Sequence, residues 1–315
     1  MSRLAVLAEL VRAPAALSVP GDVVAGAAAA GALDRRTPAL AGASVLLYWA
    51  GMAANDWADR RLDAVERPER PIPSGRVHPV AAFGVAAGLT AAGLAVARAA
   101  GGRRATAVAV PLAAAIWGYD LLAKNTAAGP AVMAACRGLD VLLGASPGPT
   151  RDPGRRRSSA SRSSWPAARS ATRGAGRASS STHGLVRALP AALTVAAHTW
   201  TVTALSRREV SGADRRLPRA TLAGTALVAA TALGRTDPVP AALAAGYATR
   251  YGSAQARVLA DPSPARVRAA VGAGITGLPA LQGALTARAG ARVLGLAVAA
   301  AAPLGRRLAR LVSPT

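Results

Sequence analysis

Three aspartates in the stretch Asn55-Asp56-Trp57-Ala58-Asp59-Arg60-Arg61-Leu62-Asp63 are spaced by three and four residues, directly after an apolar run from Leu40 to Ala54. If the helix of that run continues, the three carboxylates share one face, within roughly 60° of each other. Two carboxylates about 6 Å apart repel by roughly 3 kcal/mol at an effective dielectric near 20. The C-terminal end of a helix disfavours negative charge further. A bound cation relieves both penalties. Mg²⁺ takes oxygen ligands and binds through one or two carboxylates plus substrate phosphates. Asp56, Asp59 and Asp63 are therefore the candidate metal ligands and candidate catalytic groups, with Asn55 orienting them or adding an oxygen. The competing reading is a solvated, charged loop between two membrane helices, with Asp63 only offsetting Arg60 and Arg61.

The spacing NDxxDxxxD is followed in order by Arg67-Pro68-Glu69-Arg70-Pro71-Ile72-Pro73-Ser74-Gly75-Arg76. Together they resemble the first aspartate-rich motif of the UbiA superfamily of membrane prenyltransferases. Tyr119-Asp120-Leu121-Leu122-Ala123-Lys124 resembles that superfamily's tyrosine-to-lysine element at the end of the fourth span. The resemblance covers most of the chain outside 146–186. It implies an integral membrane, Mg²⁺-dependent enzyme. Metal and basic residues would pull on an isoprenyl diphosphate until its C–O bond breaks, and the allylic cation would alkylate a lipophilic acceptor, aromatic or lipid-like. Arg70, Arg76, Tyr119 and Lys124 become candidate substrate contacts, weighed against lipid-headgroup contacts for the arginines and snorkelling for the lysine.

The superfamily normally carries a second aspartate-rich motif after the sixth span. Here that stretch runs Ser206-Arg207-Arg208-Glu209-Val210-Ser211-Gly212-Ala213-Asp214-Arg215-Arg216-Leu217-Pro218. Glu209 and Asp214 are its only acids, and five residues apart they share a helix face poorly. Both are kept as candidate substrate-binding residues. The eroded motif is similar to a divergent branch, the UbiA-like component of ebo-type gene clusters. It leaves a second function class open, a non-catalytic relative that binds or moves a lipid-like precursor.

These motifs need helices to position them, and composition says where the helices run. The 315 residues are 52% apolar, with a net charge of +23 and a single cysteine, Cys136. One cysteine excludes a disulfide framework and multi-cysteine zinc sites. Alanine- and glycine-rich runs reach the ~17 to 20 residues that cross a bilayer, and small residues let membrane helices pack closely. The expected fold class is all-α, a polytopic transmembrane bundle of about nine to ten helices, UbiA-like, forming one domain over 1–315. Spans are expected at 17–33, 39–54, 80–100, 105–122, 129–145, 185–205, 217–234, 238–251, 268–285 and 291–304. A cleaved signal peptide competes for the first, but Glu9 and Arg12 would interrupt its apolar core.

The basic charge lies between apolar runs rather than along one stripe, which fits anionic membrane lipid and topology better than nucleic acid. With the amino terminus inside the cell membrane, loops 55–79, 123–129, 206–217 and 252–267 become cytoplasmic, as does the tail at Arg306, Arg307 and Arg310. Residues 146–186 hold eight arginines and ten serines. Such a segment is expected to be a disordered low-complexity loop, either an insertion or a stretch read from a shifted frame. In the fifth span, Arg137 and Asp140 lie three apart and are expected to form an intramembrane ion pair, with Arg137 kept as a substrate-binding candidate. His198 reads as a hydrogen-bonded helix residue.

Overall fold

The computed structural model describes residues 2–146, 175–234 and 237–301, though not the side chains of residues 3, 14, 15, 17 and 175–182. Among these residues there are ten helices and no strand. In chain order they are α1 (Arg3–Leu10), α2 (Val19–Ala30), α3 (Thr37–Glu66), α4 (Pro79–Gly118), α5 (Gly129–Ala145), α6 (Ala175–Ser206), α7 (Arg216–Ala232), α8 (Pro238–Ala260), α9 (Pro264–Arg288) and α10 (Arg292–Ala301). Most of the expected arginine- and serine-rich segment lies outside the described residues. Its last part, from Ala175, belongs to α6.

α4 is really a helical hairpin. A straight 40-residue helix would be about 60 Å long, twice the ~30 Å hydrocarbon core. Gly102, at φ 65° and ψ −153°, breaks the stretch. The two arms then run back along each other: Trp117 Nε1 donates to Thr90 Oγ1 at 3.0 Å, and Phe83 and Trp117 meet edge to face at 5.9 Å. The separate spans expected at 80–100 and 105–122 are these arms.

Two apolar cores share α5. One joins α2, α3, α4 and α5 through Val23, Leu40, Leu47, Leu112 and Leu143. The other joins α5 to α9 through Val141, Val195, Val228, Tyr247 and Leu281. α2 and α5 cross at almost backbone contact, because Gly26 lies against the Val141 carbonyl and Gly144 against the Val23 carbonyl. A Cβ at either glycine would overlap the opposing backbone. That is the small-residue packing membrane bundles rely on.

Three helical stretches, Thr37–Glu66, Pro79–Ala123 and His183–Ser206, are long and apolar enough to cross a membrane by length and composition. Only 22% of the apolar window in Pro79–Ala123 is buried within the protein, which leaves a broad apolar face for lipid.

Contacts sort the connections to the two ends of the bundle. At one end, the loop after α3 meets α3 itself through Arg70. At this end Lys124 also meets Asp59, and Arg207 donates to the carbonyls of Lys124 and Thr126. Ala213 N–H bonds the Pro262 carbonyl there at 3.1 Å, and Arg268 reaches the Glu209 carbonyl at 2.8 Å. The tip of the α4 hairpin lies at the other end, beside Leu40 and Ser146. Arg292 pairs with Asp237 between α8 and α10. The connections after α3, α4, α6 and α8 thus share one end, and the expected loop 252–267 shortens to the residues between Ala260 and Pro264.

Candidate functional site

α3 continues without a break for three turns beyond its apolar run and ends at Glu66, with Arg67 N–H bonded to the Asp63 carbonyl at 2.8 Å. The expected motif loop 55–79 is therefore shorter. Residues 55–66 are helical, because leucine, alanine, aspartate and arginine all continue a helix there until Pro68 disfavours it. This helical extension is what puts the three aspartates on adjoining faces.

After Glu66 the chain folds back. Ser74 N–H bonds the Arg70 carbonyl at 3.0 Å, Val77 N–H bonds the Pro71 carbonyl at 2.9 Å, and Gly75 takes φ 74°. Ile72 anchors the loop by packing into a small apolar cluster with Leu10, Ala53, Ala54, Ala82 and Ala86. The return sets Arg70 Nη1 between two buried carboxylates, 2.6 Å from Asp63 Oδ2 and 3.3 Å from Asp56 Oδ1. Arg12, left-handed at φ 44° after α1, adds a second cation 2.5 Å from Asp56 Oδ1.

The other wall is a single wide helical turn, Tyr119–Ala123, closed by Lys124 N–H on the Tyr119 carbonyl at 2.9 Å. Such wide turns recur at functional sites. Two rungs tie it to α3. Asn55 Nδ2 donates to Asp120 Oδ1 at 3.2 Å, and Lys124 Nζ pairs with Asp59 Oδ1 at 2.6 Å. Both rungs use positions four apart on each side, so they stack along the two helical faces. Trp57, Phe83 and Trp117 form an aromatic row between α3 and the α4 arms, with centroids 5.1 and 5.9 Å apart.

The structure therefore gathers Asn55, Asp56, Asp59, Asp63, Arg70, Tyr119 and Lys124 at one end of the bundle, and adds Arg12, Asp120 and Arg207. Arg12 lies 44 residues from its partner and has no local signal in the chain. Asp120 stood in plain view, next to Tyr119 and four residues before Lys124. Arg76 is held elsewhere. It grips Glu9 of α1 with both terminal nitrogens, at 2.6 and 2.8 Å, and steadies the returning loop.

Two expected arrangements differ. Arg137 does not pair with Asp140; its Nε lies 2.7 Å from Asp22 of α2, and its guanidinium stacks over the Tyr48 ring at 5.6 Å. Asp140 instead accepts from Ser44. The close α2–α5 crossing explains the exchange, because it brings an acid from another helix nearer than the one along α5. Gln282 of α9 completes the cluster, donating to Asp22 at 2.6 Å. Asp22→Ala leaves Arg137 buried without its carboxylate and is expected to cost about 3–5 kcal/mol. Asp22→Ala with Arg137→Met, which removes both charges, costs less. Thermal unfolding of the two variants in detergent checks this.

The second-motif loop is the other difference. Asp214 accepts the N–H groups of Arg216 and Leu217 at 3.0 Å each and so starts α7. Those bonds hold its carboxyl below the usual carboxylate range. Partial burial pushes the Glu209 carboxyl up, against the pull of Arg268. The loop instead reaches the connection after the wide turn, where Arg207 donates to the Lys124 and Thr126 carbonyls. His198 is a core residue, its Nδ1 2.8 Å from the Tyr247 hydroxyl.

Among the described residues no three His, Cys, Asp or Glu side chains converge as a self-sufficient metal cage. What the site offers is a pair of buried carboxylates, Asp56 and Asp63, with a single cationic nitrogen lying between them. Two carboxylate oxygens plus phosphate and water are a donor set that Mg²⁺ accepts.

The sequence profile of the UbiA prenyltransferase family covers residues 18–273, and the chain belongs to that family. A digeranylgeranylglyceryl phosphate synthase of Methanothrix thermoacetophila is 48% identical over 69 residues, 22% of this chain and 25% of that protein. The Natronomonas pharaonis synthase is 42% identical over 99 residues, 29% of this chain and 36% of its own length. The bacteriochlorophyll synthase 33 kDa chain of Rhodobacter capsulatus is 68% identical over 25 residues, 8% of each chain. These matches span at most about a third of the curated relatives' lengths. Two solved structures share the fold. A structure of digeranylgeranylglyceryl phosphate synthase in membranes matches with TM-score 0.62 at 16% identity, over 92% of this chain and 99% of that one. The apo UbiA homologue of Aeropyrum pernix K1 matches with TM-score 0.58 at 18% identity, over 89% and 96%.

Proposed function

We propose that this chain is a multi-pass membrane prenyltransferase. It moves an isoprenyl group from an isoprenyl diphosphate to a lipophilic acceptor, aromatic or lipid-like, with Mg²⁺. The whole chain 1–315 works as one domain, with the motif end facing the cytoplasm, where its arginine-rich loops belong. The observation that carries the reading is the set of carboxylates on α3 faced by Arg12, Arg70 and Lys124.

Asp56 and Asp63 would hold the metal, with Asp59 beside them and Asn55 setting the edge of the site. Bound Mg²⁺ supplies charge neutralisation at the diphosphate. Arg70 and Lys124 exchange a carboxylate for a phosphate as the substrate enters. They then hold the leaving group with fixed positive charge, which counts most where charge develops.

A second reading, a non-catalytic binder of a lipid-like precursor, is favoured by one observation. Asp214 is spent on starting α7, so the second motif adds little to the metal site. Purified protein, radiolabelled C10, C15 and C20 isoprenyl diphosphates, and two acceptors decide between them. The acceptors are geranylgeranylglyceryl phosphate, suggested by the synthases' name, and 4-hydroxybenzoate. The enzyme reading expects labelled product that disappears with EDTA. Tight, Mg²⁺-dependent donor binding without turnover of any donor supports the binder.

A further inference from the structure

Among the carboxylates of this site, one is not paired with a cation. Asp56 faces Arg12 and Arg70, Asp63 faces Arg70, and Asp59 faces Lys124. Asp120 is buried, and among the described residues it has no ion pair; its one hydrogen bond comes from the neutral Asn55 amide, on Oδ1. Its Oδ2 points toward the bare backbone of Gly51, where a Cβ would lie 3.3 Å away and would overlap Ile116. The missing side chain at Gly51 lets α3 pack closely against Ile116 and Asp120. An unpaired carboxylate is costly to bury, and this one is held in place by the Asn55 rung.

We propose that Asp120 takes the acceptor's proton during prenyl transfer. This rests on the prenyltransferase reading and deepens it. In the transfer, the C1–O bond of the isoprenyl diphosphate breaks and its electron pair leaves with the diphosphate. An acceptor oxygen lone pair, or a ring π pair, forms the new bond to C1. The acceptor then carries an extra positive charge until its O–H or C–H bond gives up a proton and keeps the electrons. Asp120 Oδ2 receives that proton and later passes it to water. The other three carboxylates are poor bases for the step, because each is already neutralised by an arginine or lysine, or by the metal. Asp120 stands next to the lysine that meets the diphosphate, so acid–base work and leaving-group work fall on neighbouring rungs.

The test separates the two halves of the reaction in full-length protein. It uses the donor and acceptor that give most product, and donor hydrolysis without acceptor as the measure of C–O cleavage. Asp120→Asn keeps the shape and the Asn55 contact side. It is expected to lower transfer by about 10²–10⁴-fold, the usual weight of a positioned base. Acceptor-free hydrolysis should stay within about threefold of the wild type. The fall of wild-type transfer toward acid pH should flatten in the variant, and Asp120→Glu should recover part of the rate. Transfer within threefold of wild type in Asp120→Asn overturns the proposal. So does a parallel loss of hydrolysis, since Asp120 would then only position Asn55 and the diphosphate site. A wild type that consumes no donor under any condition removes the prenyltransferase reading and this proposal with it.

Discussion

On the proposed function, Asp63→Ala is expected to lower Mg²⁺-dependent prenyl transfer by about three orders of magnitude, and Asp56→Ala to a similar degree. The two carboxylates flank one site, with Arg70 Nη1 at 2.6 Å from Asp63 and 3.3 Å from Asp56. Removing either leaves a single protein carboxylate there, too little to keep the metal beside a diphosphate at cellular Mg²⁺. A metal ion at a phosphoryl oxygen stabilises developing charge by several kcal/mol, and about 4 kcal/mol corresponds to a thousandfold in rate. The fold should survive, because Arg70 keeps its other partner and Ile72 still anchors the loop. Initial rates at saturating donor across a Mg²⁺ titration check this. Recovery at high Mg²⁺ is expected to be partial.

Lys124→Met is expected to lower turnover by about 10²–10³-fold, the usual loss when one donor to a developing oxyanion is removed. The chain holds 38 basic residues, and every one except Lys124 is arginine. Arginine therefore serves this protein wherever a basic side chain meets lipid, backbone or a surface acid. At Lys124 the compact ammonium pairs with Asp59 at 2.6 Å beside the wide turn, where a planar five-donor fork has a different shape and reach. Lys124→Arg is accordingly expected to recover less than about a tenth of the lost rate. A chemical readout is also available. Lys124 is the only side-chain amine, so Mg²⁺ with a non-reactive isoprenyl diphosphate analogue should slow its modification by an amine reagent. Equal modification rates with and without the analogue would place the diphosphate elsewhere.

Much of this arrangement was legible in the residues. The apolar runs located the helices because a membrane span must be long, apolar and internally hydrogen-bonded. The runs at 80–100 and 105–122 became the two arms of α4, with Gly102 between them. The three- and four-residue spacing of Asp56, Asp59 and Asp63 falls on one continuous helix, because α3 does run through it. Long-range choices of partner were not legible. Arg137 had an acid three residues away along its own helix but pairs with Asp22, because Gly26 and Gly144 let α2 and α5 touch. Arg12 reaches Asp56 only because Ile72 and the Glu9–Arg76 pair fold the amino-terminal segment onto the returning loop. Long arginine side chains settle such pairings by tertiary contact, and nothing in local spacing encodes them. Asp214 had a local explanation that acid spacing alone hides, since an aspartate just before a helix start serves the helix.

The central claim is that α3 holds a metal-bound diphosphate. It is tested most directly by calorimetry with a non-reactive isoprenyl thiolodiphosphate, comparing wild type with the Asp56→Ala, Asp59→Ala, Asp63→Ala triple variant. The account predicts tight binding by the wild type only when Mg²⁺ is present, and none by the triple variant, with both proteins folded in detergent. A triple variant that binds the analogue in Mg²⁺ as tightly as the wild type would contradict it.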